Sequence, residues 1–188
     1  DSGFVVRDLE AIVAAAPERA LVAIDGYHAF CALPVDLSRI HRRAFYLAGG
    51  YKYAMSGEGA CFLAIPPGCT LRPVDTGWFA SFDSLSGRPG EEVPYSADAF
   101  RFWGSTFDPS GLYRFNAVLD WLAAEGATVA AIHAHAQALQ ERFLSGLARL
   151  ALARLSVAGL VPPAGAPRGK FLAFEAGDAL ADHQAPGP

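Results

Sequence analysis

The sequence contains very little lysine. Only Lys52 and Lys170 of its 188 residues carry that side chain, and every other strongly basic residue is an arginine. No apolar run approaches the roughly 20 residues of a membrane span, which argues against a membrane-spanning helix. The formal net charge of −4 and the isoelectric point near 5.7 argue against a nucleic-acid partner. The composition is that of a globular protein of one domain, or one domain plus part of another.

Residues with metal-ligand spacing are also missing. Cys31, Cys61 and Cys69 form no C-x-x-C pair and have apolar neighbours, which is typical of buried free thiols in a reducing cytosol. His133 and His135 are two positions apart on a predicted helix, so they do not share a face as an i, i+4 metal pair does. We expect a cytoplasmic protein with three buried thiols, surface or interface histidines and no metal centre.

Apolar patterning predicts an α/β fold with a mostly parallel sheet. Short apolar runs predict strands at residues 21–24, 44–48, 59–65 and 170–175. Amphipathic spacing and end signals predict helices at residues 9–16, 110–125 and 128–157. The glycine-rich turn before the third strand allows that strand to run antiparallel. Residues 72–110 are rich in Gly, Pro, Ser and aromatics, which predicts a functional or interface loop.

Asp25 and His28 follow the first predicted strand, at the end where open α/β sheets bind ligands. A carboxylate there can keep a pyridine nitrogen protonated, which makes the ring an electron sink. The alternative is a turn aspartate before Gly26. The imidazole can stack on a ring, bond to a cofactor or transfer protons, or it can be an ordinary loop histidine. A metal site shared by the two lacks further ligands at a useful spacing.

Lys52 lies in the run Gly49-Gly50-Tyr51-Lys52-Tyr53. A lysine kept in a chain of arginines indicates nucleophilic chemistry, because a partly desolvated amine can lose its proton and attack a carbonyl, whereas arginine stays protonated. The run lacks the Gly-Lys-Ser/Thr ending of a phosphate-binding loop. The alternative is an exposed loop lysine in a chain of biased composition. Lys170 is expected to be an ordinary surface charge.

Ser105 and Thr106 precede the helix predicted at 110–125, where hydroxyls and backbone amides suit a phosphate. The alternative is a simple turn whose Asp108 or Ser110 caps the helix. Trp78, between Gly77 and Phe79, is either a loop anchor or a ligand contact.

Taken in order, these segments resemble the class V aminotransferase family of fold-type I PLP enzymes, which includes kynureninases and cysteine desulfurases. The resemblance rests on Val22-Ala23-Ile24-Asp25-Gly26-Tyr27-His28, Leu33-Pro34-Val35-Asp36, Phe45-Tyr46-Leu47-Ala48-Gly49-Gly50-Tyr51-Lys52-Tyr53 and Gly57-Glu58-Gly59-Ala60-Cys61-Phe62-Leu63. It implies the large PLP-binding domain to residue 127, and a linking helix with the start of the small C-terminal domain over 128–188.

The resemblance also implies residue roles. Lys52 would form the Schiff base with pyridoxal 5'-phosphate and move protons at the substrate α-carbon, Asp25 would pair with the pyridinium nitrogen, and His28 would lie close to the cofactor. The Ser105–Thr106 turn would reach the phosphate of the neighbouring subunit, and Trp78 and Tyr51 would lie near it. An amino-acid substrate and a homodimer with its active site at the subunit interface follow from the family.

The reaction subtype stays open among transamination, Cα–S cleavage and Cβ–Cγ hydrolysis. The kynureninase-like Asp25-x-x-His28 and Gly77-Trp78 patterns favour a hydrolase or lyase. The N-terminal half of the family and its arginine for the substrate carboxylate are not matched, so the chain is expected to be a fragment of a longer enzyme. Two other classes are kept: a non-catalytic fragment or dimerisation module, and a cofactor-free enzyme that uses Lys52.

Overall fold

The computed structural model of the chain describes residues 3–87, 93–150, 152 and 155–175. These residues fall into two compact units. The sheet unit consists of Asp8–Phe30 and Val35–Trp121, and the helical unit of the described residues within Asp1–Arg7, Cys31–Pro34 and Leu122–Pro188. The division into domains at residue 127 stays a prediction.

Three α-helices and five strands lie in the described residues. The helices are α1 (Leu9–Ala15), α2 (Ser110–Ala124) and α3 (Val129–Leu150). The strands are β1 (Ala23–Asp25), β2 (Phe45–Gly49), β3 (Cys61–Ala64), β4 (Leu160–Val161) and β5 (Ala173–Phe174). Short 3-10 turns occupy Trp78–Ser84, Ala99–Phe102 and Val157–Gly159. No single helix in this part of the chain is both long and apolar enough to span a membrane, and α2 and α3 pass that test only when taken together.

α1 follows its sequence signals closely and is one residue shorter than predicted. The Asp8 Oδ1 atom accepts the amide N–H of Ala11 at 2.8 Å, which satisfies one of the unpaired donors of the first turn. The helix buries Val13 against Ile40 and Ala44. This apolar cluster fixes the segment that leads into β1.

The sheet of the sheet unit has the order β1-β2-β3 and is mixed. β1 pairs with β2 in parallel, with Asp25 opposite Leu47. β3 pairs with β2 antiparallel, with Leu63 opposite Leu47. The α/β class and the antiparallel third strand are confirmed, whereas a mostly parallel sheet is not, since the described strands of this sheet give one pair of each kind.

Exposure at the sheet edges differs from the sequence expectation. β2 is central and almost wholly buried, whereas β1 pairs on only one side among the described strands and is partly exposed. The apolar run at residues 21–24 is typical of a buried parallel strand, but β1 is not buried, because burial of a parallel strand needs neighbours around it. Cys61 is exposed on the other edge strand, while Cys31 is buried and Cys69 lies between. The expectation of three buried thiols is therefore wrong.

The end of α2 was predicted closely, whereas the end of α3 was not. α2 ends before Gly126, whose φ of +64° is the left-handed conformation that glycine tolerates. α3 begins after Thr128, whose Oγ1 accepts the amide of Ala131 at 3.1 Å. It ends at Leu150, and the described residues 152 and 155–156 are not helical, so the prediction of a helix to 157 is too long.

The helical unit partly buries two basic residues that were expected at the surface. The Gly169 carbonyl accepts a hydrogen bond from Gln140 Nε2 on α3 at 3.0 Å, and this bond places Lys170 against the helix. Lys170 Nζ donates to the Ile132 carbonyl at 3.3 Å, and burial lowers the pKa of Lys170. The Nδ1 atom of His133 is buried and has no hydrogen-bond partner among the described residues. Burial, with a smaller effect of the Lys170 charge, lowers the pKa of His133.

The buried imidazole predicts a loss of stability in acid. Because the pKa of His133 is lower in the folded chain than its usual value of about 6.5, its contribution is present above that pH and is lost as the pH falls toward the folded pKa. His133→Gln should therefore flatten the fall of the melting temperature between about pH 6.5 and 5. His135→Gln, at an exposed position on the same helix, is the control. Parallel curves for wild type and both variants would contradict the prediction.

Candidate active site

The carboxyl ends of β1 and β2 lie side by side. The parallel register sets Asp25 opposite Leu47, and the amide of Gly26 donates to the Leu47 carbonyl at 2.8 Å, one residue beyond β1. Both strands therefore deliver their following loops to the same edge of the sheet. Asp25 and His28 reach this edge from β1, and Lys52 reaches it from β2.

A tight helical turn follows β1 and orients Asp25. The amides of Ala29 and Phe30 donate to the Gly26 carbonyl at 2.9 and 2.8 Å, and Asp25 Oδ1 accepts the amide of Tyr27 at 3.0 Å. A side chain at Gly26 would overlap the ring of Tyr46. The turn-aspartate alternative is thus correct for Oδ1. Asp25 is exposed, and Oδ2 has no hydrogen-bond partner among the described residues, so this oxygen can serve a ligand.

Residues 50–59, which we call the Lys52 loop, are closed by their own backbone. The Gly50 amide donates to the Ala60 carbonyl at 2.9 Å, and the Ser56 amide donates to the Gly50 carbonyl at 2.8 Å. Met55 closes an inner turn by donating to the Lys52 carbonyl at 3.1 Å. A side chain at Gly50 would overlap the buried Ser56 hydroxyl. Glycine at position 50 therefore permits the closed loop that fixes the backbone at Lys52.

Lys52 and His28 are in direct contact. Lys52 Nζ forms a short hydrogen bond with His28 Nε2. The ammonium form of Lys52 donates to an unprotonated Nε2, whereas a neutral amine can also accept from an Nε2–H. Lys52 is half-buried and His28 is exposed. The arrangement places an imidazole against the amine that the sequence singles out.

Tyrosines frame the pair. Tyr51 packs against Tyr27 with ring centroids 5.4 Å apart, and the Lys52 Nζ atom lies 5.6 Å from the Tyr51 centroid. Tyr53 meets the His28 ring edge-on at 6.5 Å. Burial, followed by the neighbouring Cys61, raises the pKa of Tyr27, so this phenol stays neutral at ordinary pH. Sequence reasoning missed Tyr27 and Tyr53, although their places next to the candidate residues could have suggested them.

The other three candidates form a second cluster within the sheet unit. The amide of Phe79 donates to the Gly104 carbonyl at 3.3 Å, and Thr76 Oγ1 donates to the Trp103 carbonyl at 3.3 Å. The segment that carries Trp78 therefore lies against the turn that carries Ser105 and Thr106. Trp78 stacks on Phe79 with centroids 4.2 Å apart and is still 42% exposed, while both hydroxyl residues are exposed.

The N-terminus of α2 is capped by a carboxylate. Asp108 Oδ1 accepts the amide of Ser110 at 2.9 Å and its hydroxyl at 2.6 Å, and these bonds hold the pKa of Asp108 below its usual range. The cap alternative is thus confirmed for Asp108. A phosphate at Ser105 and Thr106 would have to be held by these hydroxyls and nearby amides, because the helix end already has an anion.

The two clusters are separate in the described contacts. Among the described residues, no hydrogen bond or ring contact joins Lys52 or Tyr51 to Trp78, Ser105 or Thr106. Within the described residues, no three His, Cys, Asp or Glu side chains gather as metal ligands do. The sheet edge therefore offers an amine, an imidazole and a carboxylate, and the second cluster offers hydroxyls and an indole.

The close approach of Gly77 to the Ser105 turn can be tested with two glycines. A Cβ at Gly77 would overlap Gly104 and the Ser105 amide, whereas a Cβ at Gly104 would meet nothing within 4 Å. Gly77→Ala should destabilise the protein by about 1–3 kcal/mol, because the turn must move. Gly104→Ala should stay within about 0.5 kcal/mol of wild type. Denaturant unfolding measures both, and equal effects would contradict the described packing.

A known protein family matches most of this sequence. The model of the family described as Aminotransferase class-V matches residues 2–166, which is most of the chain. A comparison with curated protein sequences finds no match. The matched range includes both clusters and all seven candidate residues. The chain therefore belongs to the class V aminotransferase family, whose members are PLP-dependent enzymes.

Proposed function

We propose that this chain carries the cofactor-attachment lysine of a PLP-dependent enzyme that acts on an amino acid. The contact between Lys52 Nζ and His28 Nε2, at the edge of the sheet where Asp25 also ends, is the observation that carries the proposal. An exposed loop lysine has no need of a base, whereas an amine that must attack a carbonyl does.

The described residues fit the chemistry of PLP. Lys52 would hold the cofactor covalently, and the Asp25 Oδ2 atom would pair with its ring nitrogen. When bound, PLP supplies an electron sink for charge that develops at the substrate α-carbon. The apolar faces of the tyrosines around Lys52 and the imidazole of His28 provide flat surfaces for a planar ring.

The chain's own residues account for proton movement at Lys52. A protonated lysine is not a nucleophile, so its ammonium must first give up a proton. His28 Nε2 is the acceptor in direct contact and can take that proton, which leaves a neutral amine. The same amine, once released from the cofactor, is the group we assign to remove and return the proton at the substrate α-carbon.

Ser105, Thr106, Trp78 and Tyr51 are proposed to contact the cofactor phosphate. Because Asp108 already occupies the start of α2, the hydroxyls of Ser105 and Thr106 are the donors that remain on this turn. Their separation from the Lys52 cluster supports the family arrangement in which this turn serves the neighbouring subunit of a homodimer. The location in the cytoplasm and the domain boundary at residue 127 belong to the same proposal.

For the reaction subtype we propose a hydrolase or lyase ahead of a transaminase. The Asp25-x-x-His28 pattern supports it, because the histidine of the pattern is the residue in contact with Lys52. A desulfurase would use a cysteine on a mobile loop. Cys61 lies on β3, Cys31 is buried, and Cys69 is partly buried in a turn closed by its amide on the Pro66 carbonyl at 3.1 Å, so none of the three has that setting.

The first test is to map where PLP binds. The purified protein is incubated with PLP, reduced with borohydride and mapped by peptide mass spectrometry. We expect stoichiometric labelling at Lys52, with Lys170 as the internal control and Lys52→Arg as the unlabelled variant, because arginine cannot attack the aldehyde.

Other labelling patterns would support other functions. Equal labelling of Lys52 and Lys170 would contradict the proposal. Labelling of Lys52 by simple aldehydes but not by PLP would favour a cofactor-free enzyme. Concentration-dependent association without any label would favour a dimerisation module.

A second test concerns Asp25. Asp25→Asn keeps an oxygen for the Tyr27 amide and removes only the charge, so the fold should be unchanged. We expect α-proton exchange of amino-acid substrates, followed in D2O, to fall by about 10²–10³-fold, as when one stabilising group of a transition state is lost.

The matched control for Asp25 is Asp36→Asn. Asp36 Oδ1 accepts the Ser38 amide at 2.8 Å in the same kind of turn, within the connection between β1 and β2. If the two variants exchange substrate protons equally fast, Asp25 has no role in cofactor chemistry.

A further inference from the structure

One arginine of α2 reaches across to the Lys52 loop. Arg114 Nε donates to the Ser56 carbonyl at 3.2 Å, and its terminal nitrogen donates to the Glu58 carbonyl at 2.5 Å. Guanidinium groups stay charged and present several N–H donors in a fixed plane, so one side chain can hold two carbonyls at once. These bonds link the far side of the loop to a helix more than 50 residues away in the sequence.

The same face of α2 is shaped to receive the loop. Gly111 lies one turn before Arg114, and a side chain there would overlap the backbone of Gly59. Gly57 and Gly59 have φ of +72° and +90°, conformations that few other residues adopt. A loop with this much glycine loses much conformational freedom when it is ordered, so contacts from outside the loop are needed to fix it.

We infer that Arg114 is a positioning residue that holds the Lys52 loop so that Lys52 Nζ stays on His28 Nε2. The inference rests on the proposed function for the value of that contact, but the loop geometry stands on its own. The backbone bonds within the loop fix its internal shape. The two bonds from Arg114 fix its place against α2, and thereby the place from which Lys52 projects.

The experiment compares Arg114→Ala, Arg114→Lys and Arg101→Ala with wild type. Arg101 is the matched control, because its guanidinium also bridges backbone carbonyls of a loop in the sheet unit, those of Ser96 and Leu71. Two quantities are measured for each protein: hydrogen–deuterium exchange of the peptide covering residues 50–60, and the rate of PLP labelling at Lys52 after borohydride reduction. Melting temperatures identify any variant that has lost its fold.

Arg114→Ala should speed exchange of the 50–60 peptide and slow labelling of Lys52, each by about tenfold, the effect of losing about 1.4 kcal/mol of charge-assisted hydrogen bonding. Arg114→Lys should recover part of both, since an ammonium can still reach one carbonyl, and Arg101→Ala should change neither. Unchanged exchange in Arg114→Ala would overturn the inference whatever the labelling shows.

The two proposals fail in different ways. Absence of labelling in wild type counts against the proposed function, and the exchange data then decide the role of Arg114 alone. Labelling of wild type and Arg114→Ala at equal rates, with faster exchange in the variant, would also overturn the inference, because the loop would then be ordered by Arg114 without any effect on Lys52. If Arg114→Ala does not fold, Arg114→Lys decides, with intermediate values supporting the inference and wild-type values overturning it.

Discussion

The parallel pairing of β1 with β2 is the constraint on which the candidate site depends. Two strands that run in the same direction end at the same edge, so residues 27 positions apart in the sequence, Asp25 and Lys52, are delivered to one place. The hydrogen bond from the Gly26 amide to the Leu47 carbonyl continues the pairing one residue beyond β1 and so fixes the register of the two strands. A shift of one residue would turn the Asp25 side chain to the opposite face of the sheet and separate it from a ligand at Lys52.

The chemistry of Lys52 comes from its partner more than from burial. The sequence suggests a partly desolvated amine, and the side chain is half-buried. What distinguishes it is the imidazole in contact with Nζ, held by a turn whose first residue must be glycine. An amine with an adjacent proton acceptor can be nucleophilic while remaining accessible, which a deeply buried lysine cannot be. Under the proposed function this accessibility matters, because both a cofactor and a substrate would have to reach the same nitrogen.

Local signals predicted what local forces determine. The bounds of α1, α2 and β2 are set by interactions within a few residues, and each was predicted from the sequence to within one residue. The exposure of Cys61 and the burial of Lys170 depend on which distant segment packs beside them, and there the predictions are wrong. The contact of Lys52 with His28 lies between these cases, because parallel pairing was predicted but side-chain contact was not. The role of Arg114 was not predicted, because no sequence motif connects it to the carbonyls of Ser56 and Glu58, which lie 58 and 56 positions earlier.

The separation of the two clusters has a physical consequence for an enzyme of this family. The Ser105 turn is held by Gly77 and by stacked aromatic rings, and none of its described bonds involves the Lys52 loop. The shape of this turn therefore does not depend on the described bonds of the Lys52 loop. If the turn serves the neighbouring subunit of a homodimer, as proposed, its hydroxyls can be in place before two chains meet. Asp108 binds the first amide of α2, which under the proposed function leaves the hydroxyls of Ser105 and Thr106 as donors for a phosphate.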